Sequence, residues 1–470
     1  MYFSLTIHKH GIIRIYLLRY THDKNEVFFM LVIKNGTLVT MNPERQILQA
    51  DLLIEDNCIT GIGEFAAGAG DTAINAQGKL VIPGLIQTHV HLCQTLFRGM
   101  ADNLELLDWL RKRIWPLEGS HDEESIYYSS LSGCAELLRG GTTAIIDMAS
   151  VHHTESVFQA VELAGIRYLG GKCLMNKGEA VPASLMDTTE NAVQESLDLW
   201  QRWDGQANGR IHYAFCPRFA VSCSDELLRS LAALSRQHNI PVHTHASENR
   251  SETALIEKEH GLSNINYLES LGLCNDRLIL AHCIYLNNEE MKILAESKTN
   301  IVHCPGSNLK LGSGIARIPE LQAMGANISL GADGAPCNNN LSMFMEMRLA
   351  SLIQKPLHGP RSMPAPLVFA MATLGGAKAL GLEKEVGSLE IGKKADIAVV
   401  SLDGWHHQPV QAADVYSHLV YQAQASDVYA TIVDGRLLML NGQLLCLDEN
   451  DVRTRAGESV SRIIQYAGLI

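Results

Sequence analysis

Two rhythms of apolar and polar positions run along this chain. From Met30, short β-type runs alternate with turn residues: Leu31-Val32-Ile33 leads into Lys34-Asn35-Gly36-Thr37, a hairpin signal, and Ile54-Glu55-Asp56-Asn57 and Ala76-Gln77-Gly78 mark further turns. The far end repeats the style, with Asp396-Ile397-Ala398-Val399-Val400 and then Tyr429-Ala430-Thr431-Ile432-Val433 closed by Asp434-Gly435-Arg436. Two β-rich ends around one long middle predict a small β-sandwich built from residues 30–82 and 385–470, the latter including a tail, with residues 83–384 inserted between them.

The middle alternates strand with helix. Apolar β-type runs fall at 81–91, 142–148, 166–171, 211–217, 240–245, 278–282, 300–304 and 328–333, with helical periodicity between them at 123–138, 155–164, 225–237 and 288–296. Eight such alternations predict an α/β architecture, a parallel (β/α)8 TIM-type barrel, whose chemistry sits at the C-terminal ends of the strands. No tandem repeat of fixed period interrupts it.

Residues foreign to a strand core gather at those ends. The first strand closes on Thr88-His89-Val90-His91, the fifth on His243-Thr244-His245, the sixth on Ala281-His282 and the eighth on Gly331-Ala332-Asp333. Residues two apart on a strand share a face, so His89 and His91 both point to the barrel mouth. Imidazole nitrogens with a carboxylate are the donor set of a catalytic divalent metal such as zinc, with iron or manganese as alternatives. A lone histidine among 19 carries little weight; four strand ends in order carry much more. His245, nearer its strand end, is the expected ligand, and His243 a packed or supporting residue; His303 is expected to be structural. The fourth strand ends Cys216-Pro217-Arg218 without a lysine that could bridge two ions, so one metal is expected.

Composition narrows the partners. The chain has 470 residues, 46% hydrophobic and 19% charged, with a net charge of −13. That is globular composition with no basic stripe for nucleic acid and no long apolar span for a membrane. The 11 cysteines form no CxxC pair, which points to reduced thiols and a cytoplasmic location. Residues 1–29 have neither the unbroken apolar core nor the cleavage site of a signal peptide; they are an unassigned extension, and translation is expected to start at Met30.

Together, Pro83-Gly84-Leu85-Ile86-Gln87-Thr88-His89-Val90-His91, His245-Ala246-Ser247-Glu248, Ala281-His282, Gly331-Ala332-Asp333-Gly334 and Gly387-Ser388-Leu389-Glu390-Ile391-Gly392-Lys393-Lys394-Ala395-Asp396 resemble the amidohydrolase superfamily. Arg98-Gly99-Met100-Ala101-Asp102-Asn103 through Ile114-Trp115-Pro116-Leu117-Glu118 is similar to its deaminases of 5'-deoxyadenosine, methylthioadenosine and S-adenosylhomocysteine. That resemblance implies metal ligands His89, His91, His245 and Asp333. Catalysis would fall to Glu248 as general acid, His282 as the residue orienting water, and Asp333 as proton acceptor. Glu118 would bind ribose hydroxyls, or merely open a helix. Asn308 would line the pocket or make a turn, and Trp109 and Trp115 read as core. Gln94 and Arg218, the latter where nucleoside deaminases of this type usually carry histidine, instead resemble the ring contacts of guanine deaminases. The resemblance therefore implies a small purine or nucleoside substrate and a homo-oligomer. Guanine deamination and triazine hydrolysis are alternatives, and an inactive binding scaffold is the rival of another class.

Overall fold

The computed structural model describes residues 30–65, 72–178 and 181–469; the extension before Met30 and the expected start there lie outside the described residues. Strands from both chain ends hydrogen-bond into one nine-stranded sheet. Its order is Gln443–Leu444, Arg436–Leu440, Val428–Val433, Ile397–Ser401, Lys79–Pro83, Met30–Val39, Ile47–Glu55 and Cys58–Gly63, with Thr72–Asn75 pairing Met30–Val39 off that path. Alternation divides its side chains between two cores. Ile397 and Val399 join Ile33, Leu52, Ile54 and Ile432 in the sheet's own cluster, while Ala398 and Val400 pack toward the middle of the chain.

Lys34-Asn35-Gly36-Thr37 is not a hairpin. Met30–Val39 runs straight through it and pairs with Ile47–Glu55 on both sides, with the register shifting between Ile33 and Gly36. Asn35 takes a left-handed conformation (φ 60°), and its N–H donates to Asp51 Oδ1 at 2.8 Å. The asparagine-glycine pair makes a bulge rather than a reversal. The Asp56-Asn57 turn, by contrast, does join two antiparallel strands.

The expected single run 81–91 is two strands in two sheets. Lys79–Pro83 pairs with Ile397–Ser401, and Leu85–His91 pairs with Thr142–Met148. Gly84 is the crossing point, and a Cβ there would lie 2.0 Å from Thr143 Oγ1, so no larger residue fits between the layers.

In the middle, parallel strands form two main sheets. One orders Ile211–Tyr213, Arg167–Gly171, Thr142–Met148, Leu85–His91 and Asp333–Gly334; the other orders Val242–Ala246, Leu278–His282, Asn300–His303 and Asn327–Leu330. Between them the short strands Cys173–Leu174 and Cys216–Pro217 pair, and bridges at Phe215–Val242 and Phe219–His245 join the latter's flanks to the second sheet. Helices Glu123–Arg139, Thr154–Ala164, Asp225–His238 and Asn288–Glu296 lie between the strands, so the architecture is α/β. Arg167 ties the middle to the end sheet: its guanidinium donates to Asp396 at 2.8 and 2.9 Å and reaches Asp434 at 3.4 Å, with only 1% of its side chain exposed. The tail helix Glu449–Tyr466 docks on Glu123–Arg139 through Arg462–Glu124 and Arg139–Glu449 ion pairs. No helix among the described residues is long and apolar enough to cross a membrane.

Candidate active site

His89 and His91 leave the wholly buried strand Leu85–His91 on one face. His245 comes from Val242–Ala246, and Asp333 pairs with Val90 across the ladder. Their ligand atoms lie within 4.8 Å of one another. Asp333 Oδ1 is 3.2 Å from His89 Nε2 and 3.3 Å from His91 Nε2, and His91 Nε2 is 3.3 Å from His245 Nε2. Gly331 permits this approach, since a Cβ there would lie 2.7 Å from the His89 carbonyl oxygen.

Hydrogen bonds to the far side of each ring settle where the lone pairs point. His91 Nδ1 donates to the Met148 carbonyl at 2.9 Å, and His245 Nδ1 to the Arg218 carbonyl at 2.5 Å. His243 Nδ1 donates to the Ile279 carbonyl at 3.2 Å, so its Nε2 accepts from His89 Nδ1 at 2.8 Å. In the neutral rings each ligand Nε2 then turns its lone pair into the cluster, those of His89 and His91 facing one Asp333 oxygen and that of His245 lying beside His91 Nε2. Buried His89 Nε2 has no hydrogen-bond partner. Burial lowers the His89 pKa to about 4 and drives His245 well below the usual imidazole range. Burial opposes ionisation of Asp333, but the surrounding imidazoles of His89, His91 and His282 hold it well below the ordinary carboxylate value. Lone pairs converging in a buried space need a cation between them, so these residues fit a divalent metal.

Above the ligands, His282 Nδ1 donates to Asn308 Oδ1 at 2.8 Å and turns Nε2 toward Glu248 (3.5 Å) and Asp333 Oδ2 (3.9 Å). Both His282 and Asp333 have positive φ, 75° and 65°, a strained backbone held by its surroundings at the site. Burial pushes Glu248 up to about 7 even though His282 pulls it down. Burial disfavours the His282 imidazolium, but Glu248 and Asp333 raise it above its ordinary value. The two groups thus compete for a proton.

Glu118 lines a second cavity, next to Gln94 and Arg218, which line the space over the ligands. Its carboxylate accepts from Gln94 Nε2 at 2.7 Å and from Arg218 at 2.6 and 3.3 Å. Burial raises its pKa, but the Arg218 guanidinium and Gln94 bring the net value below normal. Glu118 ends the short helix Trp115–Glu118 instead of opening one. Trp115 packs in the core, whereas Trp109 also lines the pocket, beside Leu106 and Leu110. His303 is fully buried with neither ring nitrogen partnered.

Sequence reasoning missed Ser307, whose hydroxyl donates to Asp333 Oδ2 at 2.6 Å, and Ser313, which donates to Glu248 Oε1 at 3.4 Å. It also missed Glu252, which accepts the Glu248 N–H at 2.7 Å and fixes that turn. A capping-box signal, Asn249 with Glu252, could have revealed the last of these.

The Amidohydrolase family model matches residues 80–438. This chain belongs to that family. A 5'-deoxyadenosine deaminase of Methanothermobacter thermautotrophicus is 39% identical over 426 residues, covering 89% of this chain and 95% of the relative. A 5-methylthioadenosine/S-adenosylhomocysteine deaminase of Moorella thermoacetica is 38% identical over 427 residues, covering 90% and 97%. A crystal structure of an adenosine deaminase from Xanthomonas campestris with bound zinc superimposes with a TM-score of 0.86 at 30% identity, covering 93% of this amidohydrolase and 98% of that chain.

Proposed function

We propose that this amidohydrolase removes the exocyclic amine of an adenine nucleoside as ammonia, with 5'-deoxyadenosine, 5'-methylthioadenosine or S-adenosylhomocysteine as substrate. The observation that carries this reading is Glu118: a buried carboxylate on the pocket wall, clamped by Gln94 and Arg218, suits ribose hydroxyls. The deaminase relatives support the adenine ring. Guanine deamination is the second reading, suggested by Gln94 and Arg218, but here both side chains donate to Glu118.

His89, His91, His245 and Asp333 would hold one divalent ion, zinc first among the candidates, and the ion would supply an acidified water as nucleophile. Asp333 would accept a proton from the attacking water at the oxygen that Ser307 also touches. His282, fixed by Asn308, orients the water. Glu248, protonated near neutral pH, donates to the ring nitrogen beside the attacked carbon. Loss of ammonia then restores the ring: the proton held by Asp333 leaves with the amine, and the proton of the new hydroxyl returns to Glu248 as the carbonyl forms.

Leu106, Trp109 and Leu110 line the space over the ligands; they lie where an α-turn passes into the π-turn Leu110–Ile114, an irregularity frequent at functional sites. Beyond Glu118 and Arg218 a cavity of about 380 Å³, lined by His121, His152 and Leu185, offers room for the 5' substituent.

We read residues 83–384 as a closed (β/α)8 barrel, supported by Asp333–Gly334 pairing back to Leu85–His91. Residues 30–82 and 385–470 would then be a sandwich in which the nine-stranded sheet folds over its own core, with the tail helix outside it. A cytoplasmic homo-oligomer accompanies this reading. Ammonia release from the metal-loaded enzyme should be measured with 5'-deoxyadenosine, methylthioadenosine, S-adenosylhomocysteine, adenosine, guanine and a chlorotriazine. Turnover confined to guanine or to the triazine would overturn the nucleoside reading, and no turnover at full metal occupancy would favour a scaffold.

A further inference from the structure

Far along the chain from the active site, among the described residues, imidazoles and a carboxylate converge a second time. We propose that His406, His407 and Asp427 form a second, structural metal site that takes a borderline divalent cation such as Zn2+, Ni2+ or Co2+. The histidines belong to the short 3-10 turn Trp405–His407, and Asp427 ends the turn Ala425–Asp427 just before strand Val428–Val433. The Nε2 atoms of His406 and His407 lie 2.9 and 3.2 Å from the same oxygen, Asp427 Oδ2. His89 and His91 stand at nearly the same distances, 3.2 and 3.3 Å, from Asp333 Oδ1. A tetrahedral ion with bonds of about 2.0–2.1 Å sets its ligand atoms about 3.3 Å apart.

The neighbouring ring is compatible with this. His418 Nε2 faces the Val410 carbonyl at 3.1 Å, and its Nδ1 lies 3.4 Å from His407 Nδ1. The tautomer of His407 that donates to His418 turns a bare Nε2 lone pair toward Asp427 Oδ2 at 3.2 Å, the arrangement a bound cation would satisfy. Asp427 Oδ2 is held in place by the Gln424 N–H at 2.8 Å. Gly404 leaves room for the His406 ring, since a Cβ there would lie 2.5 Å from its Cε1. The His407 side chain is fully buried and that of His406 is 36% exposed, so the ion would have one open side for water. It would pin the loop after Ile397–Ser401 to the start of the neighbouring strand, and it takes no part in deamination.

The full chain, loaded with Zn2+ and freed of loosely held metal by gel filtration, should carry two ions by mass spectrometry. His406→Gln and Asp427→Asn should each carry one and keep full ammonia release. Trp405, 93% exposed beside the site, is the optical probe: Ni2+ should quench its emission in the parent chain but not in His406→Gln. His406 lies at the surface, so that variant serves even if Asp427→Asn does not fold. One ion in the parent chain, or two retained in His406→Gln, would overturn the site and leave a protonated His407 as what faces Asp427.

Discussion

Replacing Glu118 with Gln tests the ribose wall, and the structure sets the size of the effect. An ionised carboxylate offers about four lone-pair positions. Gln94 Nε2 at 2.7 Å and the two Arg218 nitrogens at 2.6 and 3.3 Å occupy three of them, which leaves about one for a ribose hydroxyl. A hydrogen bond to a charged group contributes about 1.5–3 kcal/mol, and about 1.4 kcal/mol is tenfold. Glu118→Gln should therefore lower kcat/KM for adenosine by roughly 10- to 150-fold through the ribose contact. The variant also leaves the Arg218 guanidinium buried without its counter-charge, a defect felt by every substrate. The ratio of two substrates removes it: 2',3'-dideoxyadenosine lacks the hydroxyls and reports only the general defect. Initial rates of ammonia release for both nucleosides, parent against variant, with metal content checked, give the comparison. An equal loss on the two would refute a ribose contact at Glu118.

Buried charges set two further outcomes. Glu248 acts as an acid only while protonated, and burial places its pKa at about 7, so kcat/KM should fall as pH rises through about 7. Glu248→Gln should lose turnover while keeping its metal, and a flat profile across that range would exclude the role. Because the folded pKa is raised, this carboxyl's favourable contribution to stability is complete below the unfolded value of 4.5 and declines as pH climbs toward 7. Arg167→Leu would strand Asp396 and Asp434 without their buried cation, costing about 3–5 kcal/mol in urea unfolding with KM unchanged; a loss below about 1 kcal/mol would mean that the pair is not what joins the two parts of the chain.

The parallel strands of the middle were legible because they are short apolar runs, several of which carry histidine or aspartate at their C-terminal ends. The His89-Val90-His91 spacing works for the same reason, since a two-residue period places both rings on one face. Boundaries failed where one residue's conformation decides them. Nothing in Val81-Ile82-Pro83-Gly84-Leu85 marks a change of sheet until Thr143 is seen pressing on Gly84. Asn35-Gly36 reads the same as bulge or hairpin until Asp51 is seen holding the Asn35 N–H. Ser307 and Ser313 were invisible because a hydroxyl gains a role only when an acidic partner arrives from another strand or loop. His406-His407 lacked a partner in sequence, since Asp427 lies 20 residues beyond His407.

Arg218 shows how one residue serves both halves of the site. Its carbonyl oxygen accepts the His245 Nδ1 proton at 2.5 Å and its guanidinium holds Glu118. The first contact is backbone and survives any side-chain change, so His245 keeps its lone pair toward the metal whatever stands at position 218. The second depends wholly on the side chain. An arginine there can therefore reshape substrate recognition without disturbing the ligands, which explains how a chain with the metal set of an amidohydrolase can carry a guanine-deaminase-like residue yet use it to brace a carboxylate. The guanidinium instead pairs with Glu118 and favours its ionised form, the form that under the proposed function would accept a hydrogen bond from a ribose hydroxyl.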